Sequence, residues 1–189
     1  ADACAPEGIL VNLPIETASV AEAIRHSAIQ AVSFTGSANA GGIVAATAAA
    51  EIKHSVLELG GSDPLIVLAD ADLDSAADIA TLSRIINAGQ SCIAAKRIIV
   101  EDKVYDTFIE KLKSRLAKLT LGDPLSEETD IGPIARDDLR KNLHRQVMET
   151  IEAGAKCILG GELPSGDGYF YPVTLLTDVD ETMLSLIHI

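Results

Sequence analysis

Positive charge is scarce in this chain: 15 lysines and arginines stand against 28 aspartates and glutamates, a formal net charge of −13 over 189 residues. Nonspecific nucleic-acid binding needs a basic face that displaces phosphate counterions, so that class is excluded. Cysteine is scarce and unpaired. Cys4, Cys92 and Cys157 are odd in number and show no paired spacing, which argues against a disulfide framework or structural zinc and for reduced thiols in a cytoplasm. No apolar run reaches the roughly 18–20 residues of a membrane span. The first residues also lack the basic-then-apolar order of a signal peptide. There is no internal repeat and no initiator methionine, so the chain is expected to start inside a longer protein. At 48% hydrophobic and 23% charged, it has the composition of a soluble globular protein with a real core in one or two domains.

Short apolar runs alternate with longer helical patterns, the signature of an α/β fold. Strands are expected over residues 31–34, 55–59, 65–68, 97–101, 157–159 and 173–176. Helices are expected over 38–52, 74–87, 104–119 and 137–153. Val104, Phe108, Leu112 and Leu116 form one apolar stripe, and Leu139, Leu143, Val147 and Ile151 another. Gly89 and Gly154 fall where helices should stop. The Gly60-Gly61 pair is the expected domain boundary, with a cofactor domain over 1–60 and a partial catalytic domain over 61–183. A hinge there would place Glu58 and Cys92 on opposite walls of one cleft.

Three motifs carry chemistry. Gly36-Ser37-Ala38-Asn39-Ala40-Gly41 follows a strand and opens a helix. A glycine turn there brings backbone N–H groups and positive potential to a dinucleotide phosphate, although an ordinary strand-to-helix turn fits the same residues. Glu58, in an apolar strand before two glycines, is expected to lose hydration and become a general base; an edge-strand glutamate facing water is the alternative. Cys92, after Asn87-Ala88-Gly89-Gln90-Ser91, is expected at an exposed corner as a nucleophile; a small buried hydrophobe is the alternative. Cys4 and Cys157 have only the second reading. His26 and His144 are expected on helix surfaces, and no Cys-His dyad is apparent. The Glu127-Glu128 and Arg136-Asp137-Asp138 runs are expected to be solvated.

In order and spacing, Phe34-Thr35-Gly36-Ser37, Glu58-Leu59-Gly60-Gly61 and Gly89-Gln90-Ser91-Cys92 resemble the aldehyde dehydrogenase superfamily. Gly122-Asp123-Pro124, Gly132-Pro133 and Gly160-Gly161 fall where that family has turns. The likeness runs from Ala5 to about Met183. Leu59 to Pro64, Cys92 to Arg97, Gly132 to Arg140 and Leu143 to Val147 resemble the succinate-semialdehyde dehydrogenase branch.

The resemblance implies the end of a Rossmann-type cofactor domain plus most of an α/β catalytic domain. It implies NAD or NADP as cofactor, a small-molecule aldehyde as substrate, and a homodimeric or homotetrameric parent, with neither nucleic acid nor membrane as partner. Cys92 would attack the aldehyde, its N–H would form part of the oxyanion hole, and Glu58 would activate the water that hydrolyses the thioester. Gly36, Ser37 and Gly41 match the cofactor turn, with Ala40 where many members carry valine, and Leu59 and Gly60 would lie near the nicotinamide. Other readings are a family member with a different aldehyde or acyl acceptor, a non-catalytic scaffold relative, and a cysteine hydrolase.

The family's Trp-Asn-Phe-Pro segment, its ribose-binding lysine and its Glu-Glu-x-Phe-Gly-Pro segment are not in this sequence. The 189 residues alone are therefore expected to be inactive. Leu184 to Ile189 is what CTG-TCT-CTT-ATA-CAC-ATC encodes, which resembles a sequencing-library adaptor, so residues 184–189 are expected to be a non-native tail. Finding those codons in the source genome would remove that expectation.

Overall fold

The computed structural model describes residues 6 and 8–186. Cys4, Ala5, Glu7 and residues 187–189 of the expected tail lie outside the described residues. The fold is α/β, and the chain divides into two units between Gly60 and Gly61.

The first unit opens with a helix that the apolar pattern left unassigned, α1 (Thr17–Arg25). It then forms a parallel β-α-β crossover of β1 (Ala31–Gly36), α2 (Ala38–Ala50) and β2 (His54–Leu59). The strands pair in register from Ala31↔His54 to Gly36↔Leu59. Val32, Phe34 and Leu57 share one face by the two-residue alternation of a strand, and they pack with Val20 on buried Ile24, Val44 and Ala48. Small side chains on α2 let it lie close to the sheet. A β carbon on Gly41 would stand 2.5 Å from Leu59 Cδ2. Lys53 Nζ donates to the carbonyls of Ile24 (2.6 Å) and His26 (2.7 Å), closing the C-terminal end of α1.

The second unit repeats the crossover with β3 (Pro64–Val67), α3 (Leu73–Ile85) and β4 (Arg97–Val100), again parallel. α4 (Tyr105–Leu116) follows a short 3-10 turn at Asp102–Val104. Phe108, Leu112 and Leu116, three of the four stripe positions, are buried against Val67, Ala77 and Ala80. Asp72 caps α3 by accepting from the N–H groups of Asp74 and Ser75. Arg115 reaches Asp74 and Asp78, and Lys111 reaches Asp74, tying α3 to α4 at the surface.

α5 (Asp137–Glu152) precedes an antiparallel pair, β5 (Lys156–Leu159) and β6 (Leu175–Thr177). The last strand starts two residues later than expected. Thr174 Oγ1 donates to Pro172 O (3.0 Å) and accepts from Gly161 N–H (3.1 Å), holding that stretch in a turn. Val147 of α5 packs on Ile134 and Tyr171, flanked by Ala88, Leu143, Ile151 and Leu176. His144 is on α5 as expected but half-buried, its Nδ1 3.1 Å from the Tyr171 hydroxyl. His26 caps the end of α1. Ser185 N–H donates to Thr150 Oγ1 on α5 (3.2 Å). No described helix is long and apolar enough to cross a membrane.

Burial, with the Cys157 thiol adding to it, pushes the Tyr171 phenol up from 10 to about 12. The folded chain therefore keeps this proton where the unfolded chain has lost it. The associated stabilisation is full below about pH 10 and is lost as pH rises toward about 12. Urea denaturation across that window should show a steeper alkaline loss in the wild type than in Tyr171→Phe. Parallel curves would remove Tyr171 as the cause.

Candidate active site

α3 stops at Ile85 because the next turn is left-handed: Asn87 (φ 50°), Ala88 (φ 54°) and Gly89 (φ 76°) all have positive φ. Glycine adopts this freely and asparagine tolerates it, but alanine there costs about 1–2 kcal/mol, so neighbouring contacts must hold it. Gln90 N–H and Gln90 Nε2 both donate to Asn87 O (3.0 Å each), and Gln90 Oε1 accepts from Ala135 N–H (2.9 Å). Ala88 rests on the Ile134–Val147–Tyr171 cluster. Arg84, from the last turn of α3, donates Nη2 to Gly89 O (2.8 Å) and Nη1 to Ala95 O (3.3 Å).

Beyond the turn, Ala94 and Ala95 are buried, and Ala95 N–H donates to Ser83 Oγ (3.4 Å). Lys96 Nζ and Arg97 Nε then reach back to Gly61 O and Ser62 O (2.8 Å each). A β carbon on Gly61 would lie 3.8 Å from Cys92 O. Cys92 thus sits between two anchored shoulders, with an exposed thiol. Among the described residues its N–H has no acceptor. An accessible sulfur beside a free N–H can attack a carbonyl carbon and stabilise the resulting oxyanion. Burial lowers the proton affinity of Arg84. It does the same for Lys96, where the like charge of Arg84 adds to the effect and Asp63 opposes it.

In the first unit, the expected cofactor residues converge at the carboxyl ends of β1 and β2. Ser37 (φ −72°, ψ 152°) caps α2, its Oγ accepting from Ala40 N–H at 3.2 Å. Gly41 is buried, Ala40 half-buried, and no acid stands in the first turn of α2. This donor set fits a phosphate: unpaired helix-start N–H groups, no carboxylate in the first helical turn, and glycines at 36 and 41.

Glu58 pairs with Thr35 at this edge, with Leu59 opposite Gly36. The expected loss of hydration is not found: Glu58 is exposed. Strand alternation sends Leu57 and Leu59 toward α2 and Glu58 to the opposite face, which carries no part of the unit's apolar cluster.

Cys157 is half-buried, its Sγ donating to Leu159 O (3.2 Å), in keeping with a packing role. Among the described residues no His, Cys, Asp and Glu group is placed to hold a metal ion. A cavity of about 250 Å³ lies between Leu121–Gly122 and the 164–168 loop, and Cys92 is not part of its lining. The motif reading missed Arg84. Its signal is that it is the single charge between Asp78 and Lys96.

The pattern described as the aldehyde dehydrogenase family matches residues 1–186. The chain is 45% identical over 178 residues to the NADP(+) succinate-semialdehyde dehydrogenase of Mycobacterium avium (strain 104), covering 94% of this chain and 38% of that protein. It is 46% identical over 182 residues to the NAD(P)+ succinate semialdehyde dehydrogenase Sad of Escherichia coli (strain K12), covering 96% and 39%. A solved structure of Gox0499, studied for cofactor and substrate selection, superposes with a TM-score of 0.91 at 41% identity, covering 95% of this chain and 39% of that one. The chain spans less than two fifths of the length of the curated relatives it matches.

Proposed function

The chain belongs to the aldehyde dehydrogenase family, and on that premise we propose that it carries the nucleophile and the base of an NAD- or NADP-dependent oxidation of succinate semialdehyde to the acid. The observation that carries this reading is the exposed Cys92 thiol in an anchored loop beside its own unpaired N–H. The Cys92 thiol gives its proton to solvent water, and its sulfur bonds to the aldehyde carbon as the C=O π pair moves onto oxygen. The Cys92 N–H donates to that oxyanion, whose pair re-forms the carbonyl when hydride leaves. The bound nicotinamide supplies the two-electron acceptor for the hydride that leaves this carbon. Glu58 takes a proton from water as that water attacks the Cys92 thioester; the C–S bond breaks, and the proton held by Glu58 passes to the departing sulfur, leaving the acid and the free thiol. Ser37, Gly36, Ala40 and Gly41 hold the cofactor phosphate, and Leu59 and Gly60 border the nicotinamide. The names of the Mycobacterium avium and Escherichia coli relatives support the substrate. The activity belongs to the full-length protein, a homodimer or homotetramer in the cytoplasm.

The test is to follow formation of reduced nicotinamide by the full-length protein with a panel of aldehydes and both cofactors. The highest kcat/KM should fall on succinate semialdehyde. A higher value for another aldehyde would overturn the substrate, and no turnover with any aldehyde would favour a non-catalytic relative.

A further inference from the structure

The half-buried guanidinium of Arg84 has no carboxylate partner among the described residues. Desolvating a cation without a counter-ion is costly, so its hydrogen bonds must compensate. Those bonds go to two carbonyls, Gly89 O and Ala95 O, placed three residues on either side of Cys92. Space for the guanidinium exists because residue 89 is glycine: a β carbon there would collide with Nη2 and stand 2.9 Å from Cζ. The turn being held is left-handed at an alanine, a conformation that relaxes once its supports are lost.

We infer that Arg84 is a positioning residue for the reaction, a two-pronged clamp that fixes both ends of the 89–95 segment and so aims the Cys92 thiol and N–H at the substrate carbonyl. The inference rests on the dehydrogenase reading. A planar fork holds its two donors in fixed directions, toward one carbonyl on each side of Cys92; an ammonium is a point charge on a flexible stem, with no such fixed directions. Lysine at 84 therefore preserves charge and approximate bulk but not the clamp. A displacement of the order of 1 Å in a reacting group costs about 100-fold in rate, and the loss falls on the chemical step rather than on binding.

The experiment compares Arg84→Lys and Arg84→Met with the wild type in the full-length enzyme. Each should lower kcat by roughly 10- to 100-fold, with KM for the aldehyde and Kd for the cofactor changed less than about threefold by the kinetic logic of a transition-state interaction. Added methylguanidinium should restore part of the Arg84→Met rate. An unchanged kcat in folded Arg84→Lys would overturn the clamp, as would a loss confined to KM. If Arg84→Met fails to fold, Arg84→Lys decides alone.

Iodoacetamide alkylation of the same proteins separates this inference from the reading beneath it. Should the wild type oxidise no aldehyde, a several-fold change in the Cys92 alkylation rate, with Cys157 unaffected, would still establish the clamp. Equal Cys92 rates would overturn it.

Discussion

Glu58→Gln in the full-length enzyme should give a stoichiometric burst of reduced nicotinamide and then nearly stop, while Cys92→Ser should give neither burst nor turnover. The two halves of the proposed reaction ask different things of the chain. Forming the thioester needs a nucleophilic sulfur and an oxyanion donor, both at Cys92, whose thiol is exposed and whose N–H is unpaired among the described residues. Breaking it needs a water stripped of a proton, and glutamine cannot accept one. General-base assistance contributes about 100- to 10,000-fold, so steady-state turnover of Glu58→Gln should fall by that order with the burst amplitude intact. Rapid mixing with aldehyde and cofactor reads both phases. An undiminished steady state would remove Glu58 as the base. A vanished burst would show that it acts before the thioester forms.

Phe108→Ala should cost about 3–5 kcal/mol of stability, the range for truncating a buried aromatic ring. Phe108 is fully buried, and Ala77 and Ala80 of α3 leave room for it. Truncation would leave a void between α3, α4 and the β3–β4 sheet. The Arg115 and Lys111 pairs to Asp74 and Asp78 span the same two helices, but their carboxylates are exposed, so they offset little of this loss. Denaturant titration of Phe108→Ala against Ile66→Thr separates core from surface. Ile66 is 63% exposed, and its replacement should stay within about 0.5 kcal/mol. A loss below about 1 kcal/mol for Phe108→Ala would show that the core can collapse around the gap.

The helices with a strong apolar stripe, α4 and α5, were legible in the sequence because four-residue spacing is a property of the chain alone. So were the parallel strands, whose short apolar runs sit between helical patterns. The boundaries were less legible. The helix expected to reach Asn87 ends at Ile85, because the left-handed turn depends on supports from Gln90, Arg84 and the α5 layer. Of the two readings open for Glu58, lost hydration or an edge-strand glutamate facing water, the second matches its exposure, because only the face of Leu57 meets α2. Arg84 was invisible for another reason. Its acceptors are backbone carbonyls, which every residue carries, so no residue type marks where the guanidinium lands. α1 was missed because only Val20 and Ile24 mark its apolar side.

The near-contact between residue 41 and Leu59 ties two tasks that a protein engineer would prefer to separate. Enlarging residue 41 to reshape the proposed phosphate turn pushes on the leucine adjoining Glu58, because a single added carbon already stands 2.5 Å from it. A library randomised at residue 41 therefore samples displacements of the Leu59 side chain as well. Redesign of the turn has to vary 41 and 59 together, trading volume between them, if α2 is to keep its packing on β2.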